Sequence, residues 1–225
     1  MSVALSPEKP YKGIGMEGAV AKWYAALTQK SMDRFTALAQ RLAAELPAGC
    51  SVLEVAPGPG YLAIELAKRG RYQITGLDIS QTLMEIARKN AATANVPVDF
   101  QRGDVAHMPF ADNSFDFLVC CAAFKNFTQP LNALREMHRV LKPTGIALII
   151  DLRRDASYDS IQRYIDQMDV SAVNRIITKL TFRFMLLKRA YTKGEFEQLI
   201  AQTKFAAWNV QEDLIGFEIR LQKRI

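Results

Sequence analysis

Cysteine, histidine and tryptophan are scarce in this 225-residue sequence, which holds three, two and two of them. Cys50, Cys120 and Cys121 are an odd number with two adjacent in the chain, which argues against a disulfide framework and for a reducing compartment. His107 and His138 stand apart among scattered carboxylates, so no metal is expected. No run of about eighteen apolar residues occurs, which predicts no membrane-spanning helix and no stable membrane insertion. The first ten residues include Glu8 and Lys9 and no apolar run, unlike a signal or transit peptide. A cytoplasmic location is the expectation. Internal repeats, low-complexity tracts and a polybasic block are also missing.

What is there has the balance of a globular protein: 49% hydrophobic and 23% charged residues, enough for one substantial domain. The net charge is +6, and residues 1–150 and 151–225 each carry three more Lys and Arg than Asp and Glu. An excess spread this evenly reads as a basic surface rather than a nucleic-acid site.

Val20, Trp23, Tyr24 and Leu27 share a helical face, and Phe35, Leu38, Ala39 and Leu42 do so after an N-cap at Ser31, so two helices precede the first strand. From Ser51 short apolar runs alternate with amphipathic segments: 52–56, 73–77, 98–101, 115–120 and 146–150. Runs without polar alternation suit strands buried on both faces, with helices as crossovers of a parallel sheet. Beyond Asp151, Tyr158, Ile161, Tyr164, Ile165 and Met168 share a helical face, as do Val173, Ile176, Ile177, Leu180, Phe184 and Leu187. Thr192 and Glu195 form a capping-box pattern opening a further helix. The apolar segments 205–210 and 214–221 are linked by only Gln211, Glu212 and Asp213, too short for a crossover helix, so they pair antiparallel.

The most informative stretch is Val52 to Tyr61, an apolar strand running into Ala56-Pro57-Gly58-Pro59-Gly60 and then a helix. Glycines let a ligand approach the backbone, and free N–H groups at the helix start favour an anionic group. Asp78 ends the next strand about twenty residues on, where a carboxylate can accept from two ribose hydroxyls, and Ser80 caps the following helix. An adenosine-containing ligand follows from this. Gly58, Gly60 and Ala63 also satisfy the dinucleotide fingerprint, so an NAD-dependent oxidoreductase competes.

Glu54 inside the first strand, Gly103-Asp104-Val105 after the third, Phe115-Asp116 opening the fourth and Arg139 to Gly145 closing the next helix separate these readings. With them, residues 52–151 and, more loosely, the antiparallel tail resemble the class I S-adenosylmethionine-dependent methyltransferases. The resemblance implies an α/β, doubly wound, Rossmann-like and mostly parallel seven-stranded sheet with an antiparallel C-terminal strand, N-terminal helices and a helical insertion after strand 5. It divides one domain into N-terminal helices with a lid role (1–47), a cofactor-binding core (48–152), a helical cap (153–191), and a C-terminal helix with antiparallel strands (192–225).

The resemblance also implies S-adenosyl-L-methionine as cofactor. The family's acidic-Gly-rich loop falls on Glu54 to Gly60, its ribose acid on Asp78 with Ile79 beside the adenine, and its adenine-edge pair on Asp104 and Val105. Cys121 takes the place lining the methionine end. The family's first loop glycine is Ala56 here, and the flanking Pro57 and Pro59 lead us to expect an ordinary extended conformation at that residue. Phe124 to Phe127 is similar to the subgroup that C-methylates ubiquinone and menaquinone precursors.

Methyl transfer demands positioning and water exclusion more than any one catalytic residue type. Lys125 and Asn126 are candidates for the substrate rim, and Tyr11, Trp23 and Tyr24 for a lid over the site. His107 and His138 read as surface or packing residues, and the thiols of Cys120 and Cys121 as packing on opposite strand faces. The basic-apolar segment 175–189 suits a substrate cap, a dimer surface or a membrane-surface helix, its place after the fifth strand favouring the cap. A small-molecule partner is expected, aromatic or lipophilic, with a homodimer open. The Asp/Asn-Pro-Pro-Tyr element of nucleic-acid amino-methylating enzymes is missing where Cys121-Ala122-Ala123-Phe124 stands, so nucleic acid is not expected. A cofactor-binding regulatory protein without turnover is the alternative outside the enzymes.

Overall fold

In the computed structural model residues 11–13, 15–166 and 186–224 are described. Two helices, α1 (Gly18–Gln29) and α2 (Met32–Glu45), precede β1 (Ser51–Val55). Then follow α3 (Tyr61–Ala67), β2 (Gln73–Asp78), α4 (Gln81–Ala94), β3 (Val98–Arg102), β4 (Phe115–Cys121), α5 (Pro130–Val140) and β5 (Leu141–Leu152). The chain continues with α6 (Tyr158–Asp166), α7 (Lys193–Ile200), β6 (Ala207–Glu212) and β7 (Gly216–Gln222).

All seven strands form one sheet in the order β3-β2-β1-β4-β5-β7-β6. The pairs from β3 to β5 are parallel, and β7 runs antiparallel to both β5 and β6. This is the doubly wound, Rossmann-like arrangement expected from the sequence, with the strand order reversing beside β1. Successive residues of the central strands serve opposite layers: Leu53, Val55, Leu118 and Cys120 pack with α5 and α7, while Val52, Val119 and Leu148 pack with α2, α3 and α4. Both faces are covered, which is why these strands show no polar alternation. Thr192 and Glu195 form the expected capping box of α7, and the Ser80 side chain accepts from Leu83 N–H at the start of α4. Ser31 occupies the N-cap of α2 without a side-chain bond.

The face of α1 is a correction. Ala21, Ala25 and Thr28 are buried, whereas Val20 and Leu27 are exposed and Trp23 is 65% exposed. Small residues bring α1 close to α4, and the docking is set by polar contacts. The Glu17 carboxylate accepts from Gln81 and Thr82 N–H at 2.9 and 3.0 Å, the Gly18 N–H donates to Thr82 Oγ1, and the Ser80 hydroxyl donates to the Met16 carbonyl. These bonds fix the helix rotation and overrule its apolar periodicity.

The region after β5 is only partly comparable with expectation. In α6 Ile161 and Ile165 are buried with Leu187 and Ile215, and Tyr158 faces solvent. Met168, the helix expected over 173–187 up to residue 185, and most of the basic-apolar segment 175–189 lie outside the described residues. Residues 187–189 form a short 3-10 turn. No helix among the described residues is long and apolar enough to cross a membrane.

Candidate functional site

The strand tips of β1, β2 and β4 and the glycine loop meet at the carboxyl end of the sheet, the crevice position at which open α/β sheets bind ligands. The N-cap of α3 is Gly60, at φ +80°, which has no side chain to satisfy the first-turn N–H groups. A Cβ there would lie 2.5 Å from the Phe100 ring, so the position requires glycine twice over. Glu54 takes over the capping: buried in β1, its Oε2 accepts from Ala63 N–H at 2.8 Å. The acid of the motif therefore ties strand to helix across the loop.

Burial pushes the Glu54 carboxyl up to about 8, a rise that the Ala63 hydrogen bond opposes and the Asp78 charge reinforces. The folded state thus keeps a proton that the unfolded chain releases above its ordinary value of 4.5. Unfolding stability should fall as pH rises through the window from 4.5 to about 8, and flatten above it. Urea midpoints of the parent and Glu54→Gln across this window check it: the parent should lose stability relative to the variant, and parallel curves would remove the shift.

Asp78 ends β2 and is also buried. Its Oδ2 accepts from Gly58 N–H at 3.1 Å and its Oδ1 from Ser80 N–H at 2.9 Å, so it holds the loop against the start of α4. Burial pushes its pKa up from the ordinary carboxylate value, against these hydrogen bonds. Ile79 is half-buried beside it. At the tip of β3, Asp104 caps the short turn 105–107 by accepting from Ala106 N–H at 2.9 Å, and Val105 is buried in the core. His107 is exposed, its Nδ1 3.6 Å from Asp104 Oδ2.

Ala56 overturns its expectation: φ is +53°, in the left-handed region. The Ala56 N–H donates to the Leu77 carbonyl at 2.8 Å, so pairing with β2 imposes the turn that glycine supplies elsewhere in the family. Ala122, just past β4, has φ +57°, with its N–H bound to the Ile150 carbonyl at 2.7 Å. Two strained alanines thus flank the crevice, and such strain gathers at functional sites. Ala56→Gly should raise stability by about 1 kcal/mol, read as a higher urea midpoint at unchanged slope; an unchanged or lower midpoint would show that no strain is stored there.

Tyr24 of α1 reaches this crevice. A Cβ on Gly58 would lie 3.5 Å from its ring, and its phenol is raised by burial, with Asp78, Cys121 and Glu54 adding to the rise and Arg34 opposing it. Cys121 faces the same space, its thiol pushed up to about 12 by burial and by Glu54. Cys120 points into the opposite layer. Arg34 and Glu17 belong to the site's surroundings and were not expected; no spacing in the sequence relates them to the loop. The tyrosine hydroxyl of Tyr61 donates to the Ala25 carbonyl at 3.0 Å, a further tie between α1 and the loop helix. Trp23, offered as a lid residue, faces solvent instead, since α1 turns its small residues inward.

Lys125 is a further correction. It is 4% exposed, its Nζ 2.8 Å from Asp151 Oδ1 and also donating to the Ala122 carbonyl. Asp151 Oδ2 in turn accepts from Lys125 N–H at 2.8 Å. The buried carboxylate at the tip of β5 draws the lysine inward, so it forms an internal brace rather than a substrate rim. Asn126 stays half-buried, its carbonyl accepting from Lys12 N–H, and Tyr11 pairs with Phe127 as an isolated bridge. The residue 11–13 segment is thereby strapped to the turn after β4, while Tyr24 covers the glycine loop. His138 packs edge-on against Phe205. Among the described residues no group of three metal-type ligands occurs.

Residues 53–149 match a family described as a methyltransferase domain. A Deinococcus radiodurans demethylmenaquinone methyltransferase is 36% identical over 107 residues, covering 47% of this chain and 44% of that protein. A Nostoc 2-phytyl-1,4-naphtoquinone methyltransferase is 31% identical over 144 residues, 61% and 63% of the two chains. The match thus spans less than half the length of the former relative and under two thirds of the latter. In fold, a Methanococcus maripaludis protein solved as a candidate S-adenosylmethionine-dependent methyltransferase superposes with a TM-score of 0.76 at 22% identity, over 99% of this chain and 98% of that one. The [4+2]-cyclase SpnF also shares the fold, at 0.63 and 21% identity over 84% and 81%, so fold alone does not select the reaction. Residues 53–149 of this chain are therefore similar to the methyltransferase domain family, on a Rossmann-like fold.

Proposed function

We propose that the protein transfers a methyl group from S-adenosyl-L-methionine to a small-molecule acceptor, aromatic or lipophilic. The observation that carries this is the pair of buried carboxylates, Glu54 and Asp78, facing the glycine loop. Among the described residues Glu54 Oε1 has no hydrogen-bond partner, and Asp78 has acceptor capacity left after its two backbone bonds. Asp78 suits a ribose diol, and an ammonium or sulfonium group beside Glu54 would favour loss of the proton that burial holds there. A carboxylate at Asp78 would suit the ribose of a dinucleotide as well; the match of residues 53–149 to a methyltransferase domain is what favours S-adenosyl-L-methionine over NAD.

In this reading Asp78 and Ile79 hold the ribose and adenine, Asp104 and Val105 the adenine edge, and Ala56, Gly58 and Gly60 the amino-acid end. Cys121, Tyr24 and Arg34 border the methionine side. When bound, the cofactor supplies an electrophilic methyl carbon. The chain's own part is to orient the ligand, exclude water through α1, and keep the acceptor aligned. Tyr24 stays a neutral phenol because burial raises it, so it serves as a wall and hydrogen-bond donor rather than a base. Asn126 and Tyr11 remain the acceptor-side candidates. Residues 1–47 act as the lid region, 48–152 as the cofactor core, 153–191 as the cap and 192–225 as the closing helix and strands.

The acceptor class rests on the relatives, whose names record demethylmenaquinone and 2-phytyl-1,4-naphtoquinone. The protein is proposed to work in the cytoplasm, with no nucleic acid partner and with a homodimer open. Two measurements test the function together: calorimetric titration with S-adenosylhomocysteine, and incubation of a metabolite extract with labelled methyl donor. Saturable binding with a labelled small product is the expected result. Tight binding without product across a broad acceptor panel would replace the enzyme by a regulatory protein, and no binding at millimolar ligand would end both.

A further inference from the structure

Beside the turn after β4 lies an open depression of about 400 Å³ lined by Lys12, Arg154, Lys188, Arg189, Tyr191 and Glu195, with otherwise neutral neighbours. None of these residues belongs to the glycine loop or its carboxylates. Glu195, the one carboxylate in this lining, is committed twice over: it accepts from Thr192 N–H at 2.9 Å and from Arg154. Lys12 Nζ contacts only the Tyr191 hydroxyl, at 3.2 Å, and the face of its ring, while Arg189 Nη1 donates to the Lys12 carbonyl at 3.2 Å. Among the described residues neither cation meets a carboxylate.

The seat of Arg189 is built into the backbone. Gly13 has φ +101°, and a Cβ there would lie 2.2 Å from Arg189 Nη1, so the guanidinium rests where any other residue would displace it. Among the described residues Arg189 donates only to the Lys12 carbonyl, which leaves most of its fork for a ligand. Tyr191 stacks near Phe124, with ring centroids 5.7 Å apart, which places the depression against the same strand-tip turn that borders the cofactor crevice.

The geometry points to a binding site for an anionic group, a phosphate or carboxylate, carried by the methyl acceptor or by a separate small molecule. An arginine fork matches the paired oxygens of either group, and Lys12 adds a point charge beside it. Binding of an anion stands apart from the methyl-transfer reading; only its assignment to the acceptor rests on that reading.

The test is calorimetric titration of the full chain with inorganic phosphate and with phenyl phosphate at constant ionic strength. Saturable binding is expected, weakened about tenfold in Arg189→Gln and in Lys12→Gln, preserved in Lys12→Arg, and untouched in Arg41→Gln. Arg41 pairs with Glu218 away from the depression and serves as the control. Circular dichroism of each variant separates loss of the site from loss of fold, and Lys12→Gln keeps the test open if Arg189→Gln fails to fold. Phenyl phosphate binding more tightly than phosphate, and more so with S-adenosylhomocysteine present, assigns the anion to the acceptor; equal binding indifferent to that ligand assigns it to a separate molecule. Absence of saturable binding, or an equal loss in Arg41→Gln, overturns the site. Failure of S-adenosylhomocysteine to bind would leave the phosphate titration intact.

Discussion

Asp78→Ala is expected to weaken S-adenosylhomocysteine binding by about two orders of magnitude, since a charge-assisted hydrogen bond contributes about 1.5–3 kcal/mol and two ribose hydroxyls face this carboxylate in the proposed pose. The substitution also frees the Gly58 and Ser80 N–H groups, which Asp78 now holds at 3.1 and 2.9 Å, so the loop loses its latch to α4. Both effects act in the same direction on affinity, but only the second lowers the thermal midpoint of the ligand-free protein. Asp78→Asn keeps one acceptor oxygen and should lie between alanine and the parent. Calorimetry on all three gives the order; an alanine variant that binds as tightly as the parent would remove the ribose from this site and the cofactor reading with it.

The largest expected effect on stability is at Lys125. Replacing it with Met leaves the buried Asp151 carboxylate without its counter-charge, a change that typically costs about 3–5 kcal/mol. The Asp151 oxygens keep the Lys125 and Leu152 N–H groups, which bounds the loss from above. Lys125→Met with Asp151→Leu removes both charges and should recover a large part of the loss, because a buried ion pair is often replaceable by apolar residues. Urea unfolding of the single and double variants measures it. Equal losses in the two would mean that the brace acts through shape and not through charge. The same turn carries Phe124 and Asn126, so a loosened brace also disturbs the acceptor side, and methyl transfer should fall more than cofactor affinity.

Much of this molecule was legible from spacing. The capping box at Thr192 and the N-cap at Ser80, the apolar runs of β1, β2, β4 and β5 and the short link between β6 and β7 are local signals, each set by residues within a few positions of one another. The glycine loop with Glu54 and Asp78 was legible for the same reason: strand, turn and helix start are contiguous. The readings that failed depended on partners far along the chain. Lys125 was read as a substrate-rim candidate because its counter-ion lies 26 residues later on a neighbouring strand tip. The inward face of α1 followed from hydrogen bonds to α4 more than sixty residues away, which outweighed its own apolar pattern. The left-handed conformation of Ala56 came from pairing with the Leu77 carbonyl of β2, so a rule about alanine's local preference missed it.

By itself, then, the sequence determined a doubly wound α/β chain with a glycine loop flanked by two carboxyl groups and a family to compare it with, because periodicity, capping and turn chemistry act over a few residues. Only the tertiary structure decided which side chains face the crevice, where strain is stored, and that Lys12 and Arg189, 177 residues apart, meet in one basic depression. Those outcomes depend on burial and on charges brought together across the sheet, and neither leaves a periodic trace in the chain.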